Sequence, residues 1–170
     1  MGLFDFFKKE EAPSQKTIAI HSPLTGQLVP LVDVPDQVFA GEMMGNGIAV
    51  QPKMKKQTVV SPISGEVVSV FPTKHAVTLQ TNEGIELLLH VGLDTVELEG
   101  KGFTAHVKDG DTVKAGDDLL TVDFPSVDAA GYATVTPIVV TNASDIHGMA
   151  LVASGSVDAG DTLLMVTINQ

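Results

Sequence analysis

Five histidines punctuate the chain, and two of them, His75 and His90, are spaced to act on one small group. Neutral imidazole is nucleophilic near pH 7 because its pKa lies close to that pH. Attack on a phosphoryl donor gives a reactive phosphoramidate that a second nucleophile can remove. A carrier of this kind must keep one ring nitrogen free, so the other must donate its N–H to a fixed acceptor. A backbone carbonyl in the loop after His90, around Gly92, is suitably placed. His21, His106 and His147 lack matched surroundings and read as surface or structural residues.

The elements that would position the pair form one hairpin. Ala-Val-Thr-Leu-Gln (76–80) and Ile-Glu-Leu-Leu-Leu (85–89) flank the turn letters Thr81-Asn82-Glu83-Gly84. Two apolar-rich runs around a short Asn/Gly turn signal antiparallel pairing. A symmetric turn sets Gln80 opposite Ile85, and therefore His75 opposite His90 on the same face, with Cβ atoms roughly 5 Å apart. An odd-length turn or a bulge would separate the two faces. After His90, Gly92 and the pair Asp94-Thr95 end the strand and open a helical turn.

Two internal repeats organise the remainder. Ser-Pro-Leu-Thr-Gly-Gln-Leu-Val (22–29) recurs as Ser-Pro-Ile-Ser-Gly-Glu-Val-Val (61–68), and the pattern Val-x-Ala-Gly-Asp-x-Leu-Leu occurs at 113–120 and 157–164. Each is a turn feeding a short strand, so the chain is expected to be all-β, an antiparallel sandwich or barrel with pseudo-repeats. Strands are expected near 17–21, 26–32, 47–51, 57–60, 65–71, 76–80, 85–90, 103–107, 119–122, 133–140, 150–153 and 163–168. Short helical turns are expected near 94–98, 126–130 and 143–148. Pro137 inside a strand implies an edge or a bulge.

Composition narrows the function. A chain of 170 residues with 44 % hydrophobic content suits one well-filled domain, and the lack of Cys excludes disulfides and thiolate zinc sites. No apolar run approaches the roughly 18 residues of a membrane span, and Met1–Lys9 lacks the form of a cleaved signal, so a cytoplasmic location is expected. A net charge of −11 argues against nucleic acid and favours basic protein partners. Every basic residue is Lys, so bidentate guanidinium contacts to phosphate must come from a partner.

The string His90-Val91-Gly92-Leu93-Asp94-Thr95-Val96, with Thr73-Lys74-His75 and Gly84 upstream, closely resembles the phosphohistidine site of glucose-type enzyme IIA proteins of the bacterial sugar phosphotransferase system. The resemblance runs from about Thr17 to the C-terminus and includes Asp33-Val34-Pro35-Asp36, Phe39-Ala40, Gly45–Val50 and Gly155-Ser156-Val157. It implies a β-sandwich in which His90 is the nucleophile, His75 donates to the phosphoryl oxygens, and Thr73 orients His75. The partners it implies are the histidine-containing phosphocarrier protein and the enzyme IIB domain of a sugar permease. Regulated transporters or kinases are further partners to which the unphosphorylated protein would bind. No cofactor is implied for the transfer, while zinc could bridge His75 and His90 when a partner adds a carboxylate.

Val38, Phe39, Met43, Met44, Phe71, Leu88, Val91 and Val96 are candidates for an apolar docking patch, ringed by Asp36, Asp94, Glu97 and Glu99; about half should be exposed. Of these, Phe39, Phe71, Val91, Asp94, Val96 and Glu97 are the expected partner contacts. Residues 1–16 read as a separate tail, either disordered or forming a helix with Leu3, Phe4, Phe6 and Phe7 on one side, suited to weak contact with the inner membrane surface. Two rival readings compete. A biotinyl or lipoyl carrier would use Lys53-Met54-Lys55 as its modified hairpin, but leaves the His pair without a role. A zinc hydrolase would need Asp94 as a third ligand.

Overall fold

A computed structural model describes residues 14–169. The amphipathic stretch expected around Leu3–Phe7 lies outside that range, and of the expected tail 1–16 only Ser14–Lys16 fall within it. Strand pairing begins earlier than expected: β1 (Gln15–His21) pairs with the C-terminal strand β14 (Thr162–Asn169) from Gln15↔Asn169 onward.

Two layers of antiparallel sheet enclose the core. One is an eight-stranded sheet ordered β13-β2-β3-β11-β7-β6-β5-β9. Its strands are β2 (Gly26–Val29), β3 (Asn46–Pro52), β5 (Gly65–Val70), β6 (Ala76–Thr81), β7 (Glu86–His90), β9 (Thr112–Val113), β11 (Thr136–Val140) and β13 (Ser156–Val157). The other layer is two three-stranded sheets. One joins β4 (Lys56–Val60), β10 (Asp118–Asp123) and β8 (Phe103–Ala105); the other joins β1, β14 and β12 (Gly148–Leu151). Val50, Val77, Leu79, Leu87, Leu89 and Ile138 from the large sheet meet Ile20, Val59, Leu120, Val122, Leu163 and Val166 between the layers. The β-sandwich expected from strand count and repeats is the fold observed.

The repeats are the internal symmetry of this sandwich. Ser22 N–H bonds Asp161 O and Ser61 N–H bonds Asp117 O, each at 2.7 Å. The two copies also interlock: His21 N–H donates to Pro62 O and Val60 N–H to Pro23 O. A Cβ on Gly26 would meet Gln51 O at 2.1 Å, and one on Gly65 would meet Gln80 O at 2.1 Å, so both copies need glycine for the same close approach.

A second, smaller core covers the outer face of the large sheet. There Ala49, Ala76, Leu88 and Val139 pack beneath Leu31, Val34 and Phe39. The covering segment was expected to extend β2 to residue 32, but Pro30 caps a 3₁₀ turn at Leu31–Asp33. A one-turn helix α1 (Gln37–Ala40) follows, its N-terminus capped by the Asp36 carboxylate accepting from Val38 N–H. A helix α2 (Phe124–Ala129) is similarly capped by Asp123.

Two local expectations are corrected. Pro137 lies in β11, a central strand paired to β3 and β7; it is accommodated because the β7 ladder starts only at Ile138↔Leu89. The register of β6 against β7 is shifted by one: Thr81 N–H bonds Ile85 O around the three residues Asn82–Gly84, so Gln80 pairs with Glu86 and Ala76 with His90. The segment containing Lys53-Met54-Lys55 caps no hairpin, since β3 and β4 belong to different sheets.

Candidate functional site

Alternation along β7 decides which face carries the chemistry. Leu87 and Leu89 point into the main core, whereas Leu88 and His90 point to the outer face, beside Ala76. His90 therefore stands at the rim of the smaller core, with the Phe39 ring against its own at 5.2 Å between centroids. The α1 turn, whose start is marked in sequence by Asp36, is what delivers Phe39 there.

His75 reaches the same place without being the ladder partner of His90. Strict alternation from Ala76 would turn His75 toward the opposite face. It precedes the strand, however, and Lys74 before it adopts φ +61°. The tight turn is closed by Lys74 N–H to Phe71 O at 2.7 Å, and Val91 N–H donates to His75 O at 2.7 Å. The two imidazoles consequently meet edge-to-face, with centroids 5.0 Å apart. Phe71 packs edge-on against His75 at 5.4 Å.

Each ring is held by its Nδ1. The Gly92 carbonyl accepts from His90 Nδ1 at 2.7 Å, and a carbonyl can only accept, so a neutral His90 keeps Nε2 free as a lone-pair donor. Thr73 Oγ1 lies 2.7 Å from His75 Nδ1. With the hydroxyl donating, His75 carries its proton on Nε2 and can offer it to a neighbouring oxygen.

The Gly92 carbonyl is itself fixed. Gly92 has φ +75°, and a Cβ there would meet Thr95 Cγ2 at 2.6 Å and Ala133 O at 2.8 Å. Leu93 N–H donates to Ala133 O, and the buried Thr95 hydroxyl donates to Val91 O at 2.6 Å. The sequence marks Thr95 only as part of a helical-turn start; its Oγ1 also ties the loop across Gly92, a local hydroxyl-to-carbonyl bond that its type and its place after Asp94 make available.

Electrostatically, both rings are biased to the neutral form. Burial, reinforced by the neighbouring His90, lowers the His75 pKa from 6.5 to about 4. Burial also lowers that of His90, opposed by its bond to the Gly92 carbonyl and by the Asp36 and Asp94 carboxylates. At neutral pH the free nitrogen of His90 is therefore available for attack.

A concavity of about 300 Å³ opens over His90, lined by residues including Asp36, Phe39, Phe71, Asp94 and Val96. Val38, Met43, Met44, Phe71 and Val96 are exposed apolar residues around it. Phe39 and Leu88 are buried and form its floor. Val91 is corrected: one step beyond His90 it turns into the main core and is 1 % exposed, so it offers nothing to a partner. Glu97 is exposed on the 3₁₀ turn Thr95–Leu98, outside the concavity. Among the described residues no cluster of three or more His, Cys, Asp or Glu could hold a metal. Nor is any described helix long and apolar enough to cross a membrane.

Comparison with known proteins agrees with this arrangement. Residues 18–146 match the family model of the phosphoenolpyruvate-dependent sugar phosphotransferase system, EIIA 1. A glucose-specific EIIA component from Oceanobacillus iheyensis is 44 % identical over 161 residues, covering 95 % of both chains. A β-glucoside-specific EIIBCA component from Dickeya chrysanthemi is 47 % identical over 85 % of this chain, which spans 22 % of that longer protein. The solved glucose permease IIA from Mycoplasma capricolum superposes with a TM-score of 0.80 at 39 % identity, covering 88 % of this chain and 96 % of that one. Neither the biotinyl or lipoyl reading nor the zinc hydrolase reading finds support in these comparisons.

Proposed function

Because the chain belongs to the EIIA 1 family of the sugar phosphotransferase system, and so is a phosphocarrier that passes its phosphoryl group to an EIIB domain, we propose that His90 is the residue that carries it. The observation that carries this reading is the bond between His90 Nδ1 and the Gly92 carbonyl, which leaves Nε2 as the free nucleophile. In the transfer, the Nε2 lone pair forms a new N–P bond while the N–P bond on the donor histidine of the phosphocarrier breaks. His75, held by Thr73, donates its Nε2 proton as a hydrogen bond to the phosphoryl oxygens. The stabilisation is modest, which suits a group that must be passed on.

The donor is the histidine-containing phosphocarrier protein, which docks through basic residues on Asp36, Asp94 and Glu97 and through apolar contact with Phe71 and Val96. The EIIB domain of a permease uses the same patch, since it must reach the same nitrogen. Relatives named for glucose and for β-glucosides match this chain almost equally well, so the sugar is selected by the permease. The protein works in the cytoplasm, with the N-terminal segment as a weak membrane contact. The unphosphorylated form presents the same surface to regulated transporters or kinases. The two imidazoles also supply half of a tetrahedral zinc shell, which a partner's carboxylate would complete. Phosphorylation and zinc then exclude each other at His90. Incubation with phosphoenolpyruvate and the general phosphotransferase proteins, followed by mapping of the acid-labile phosphate, tests the assignment.

A further inference from the structure

Asp36 and Asp94 do more than face a partner. Both line the concavity that holds His90, and no lysine lines it with them. The chain contains no arginine, and Lys74, although next to His75 in sequence, is not among the lining residues. Asp36 is held through its carboxylate and Asp94 through its backbone. Asp36 accepts from Val38 N–H as the cap of α1. Asp94 sits at φ +58° in the bonded loop between Gly92 and Thr95. Their field reaches the ring, for both oppose the effect of burial on His90.

A phosphoryl group on His90 brings about −1.5 to −2 charges into this site at neutral pH. Against it stand two carboxylates and, in compensation, one imidazole N–H. We propose that Asp36 and Asp94 raise the phosphoryl-transfer potential of His90 by destabilising the phosphorylated carrier once it is free of its donor. This rests on the reading of His90 as the phosphorylated residue. In the docked complex the donor's cationic groups neutralise the carboxylates and the group crosses without opposition. On dissociation the repulsion returns, and the N–P bond is loaded for the next acceptor.

Docking and transfer potential separate cleanly in experiment. The equilibrium constant for exchange between the free proteins depends on the stability of each phosphorylated form, and not on affinity within the complex. Asp36→Asn, Asp94→Asn and the double variant remove charge while keeping a side chain that suits both an N-cap and a left-handed backbone. The four forms would be equilibrated with the phosphorylated phosphocarrier protein at fixed ionic strength, and both phosphohistidines quantified by ³¹P NMR. Each single change should shift the equilibrium toward phosphorylated carrier by roughly threefold to thirtyfold, and the shift should shrink at high salt. Slower exchange in both directions with an unchanged equilibrium constant would overturn the proposal, leaving the carboxylates as docking groups only. Absence of label from His90 in the unaltered protein would instead overturn the site assignment on which it rests.

Discussion

The rings of His75 and His90 lie 5.0 Å apart although Ala76, and not His75, is the ladder partner of His90. What brings them together is the left-handed backbone of Lys74, at φ +61°, which turns His75 out of the alternation of β6. The geometry of the pair thus depends on one conformationally costly residue beside the strand.

That dependence is testable at Lys74. A β-branched residue is poorly tolerated at positive φ, so Lys74→Val should lower stability by about 1–2 kcal/mol and slow phosphoryl transfer by displacing His75. Lys74→Gly should keep both near the original values. Urea unfolding and single-turnover transfer would be compared for the two variants. Equal behaviour would show that the turn is held by its neighbours alone.

At Gly92 the restriction is spatial as well as conformational. Gly92→Ala must displace Thr95 or the Ala133 carbonyl, which its Cβ would approach to 2.6 and 2.8 Å. The expected result is a lowered melting temperature together with slowed phosphorylation, since the carbonyl that orients His90 moves. The Nδ1 proton of His90, followed by ¹⁵N NMR, should lose its fixed-tautomer signature.

Much of this site was legible in the chain. The histidine pair, Thr73 and Gly92 stand in one short stretch, and their types alone suggest an imidazole with one nitrogen pinned and one free. The repeats announced the sandwich because each copy carries its own turn glycine and strand. The register was not legible, since turn length depends on how Gly84, at φ +95°, closes the loop from Thr81 to Ile85. Nor was the fate of Val91, whose direction follows from that of His90 only once the strand's outer face is known. Helix α1 escaped because four residues carry no periodicity; only its cap, Asp36, marked it.

Acid should weaken the fold through the same pair. The His75 pKa is about 4 in the folded protein against an ordinary 6.5, so between those values the unfolded chain binds a proton that the folded one does not. Stability from this group is therefore complete above pH 6.5, falls as pH drops toward 4, and changes no further below that. The lowered His90 pKa acts in the same direction. Denaturant midpoints measured across this window should show a shallower slope in His75→Gln than in the original protein.

Charge on the rim should govern encounter more than chemistry. Glu97 is exposed and lies outside the concavity, so Glu97→Lys should slow phosphate uptake from a basic donor at low ionic strength and approach normal rates at high salt. Stability should change by less than about 0.5 kcal/mol. Stopped-flow transfer across a salt series measures the first effect; a deficit independent of salt would place Glu97 in the loop's structure instead.

The most direct test of the account is the location of the phosphoryl group. The protein, His75→Gln and His90→Ala would each be incubated with phosphoenolpyruvate and the general phosphotransferase proteins, and the acid-labile label mapped by mass spectrometry. Label on His90 Nε2 in the unaltered protein, acceptance with impaired onward transfer in His75→Gln, and no label in His90→Ala are the predicted results. Label on His75, with transfer persisting in His90→Ala, would contradict the account.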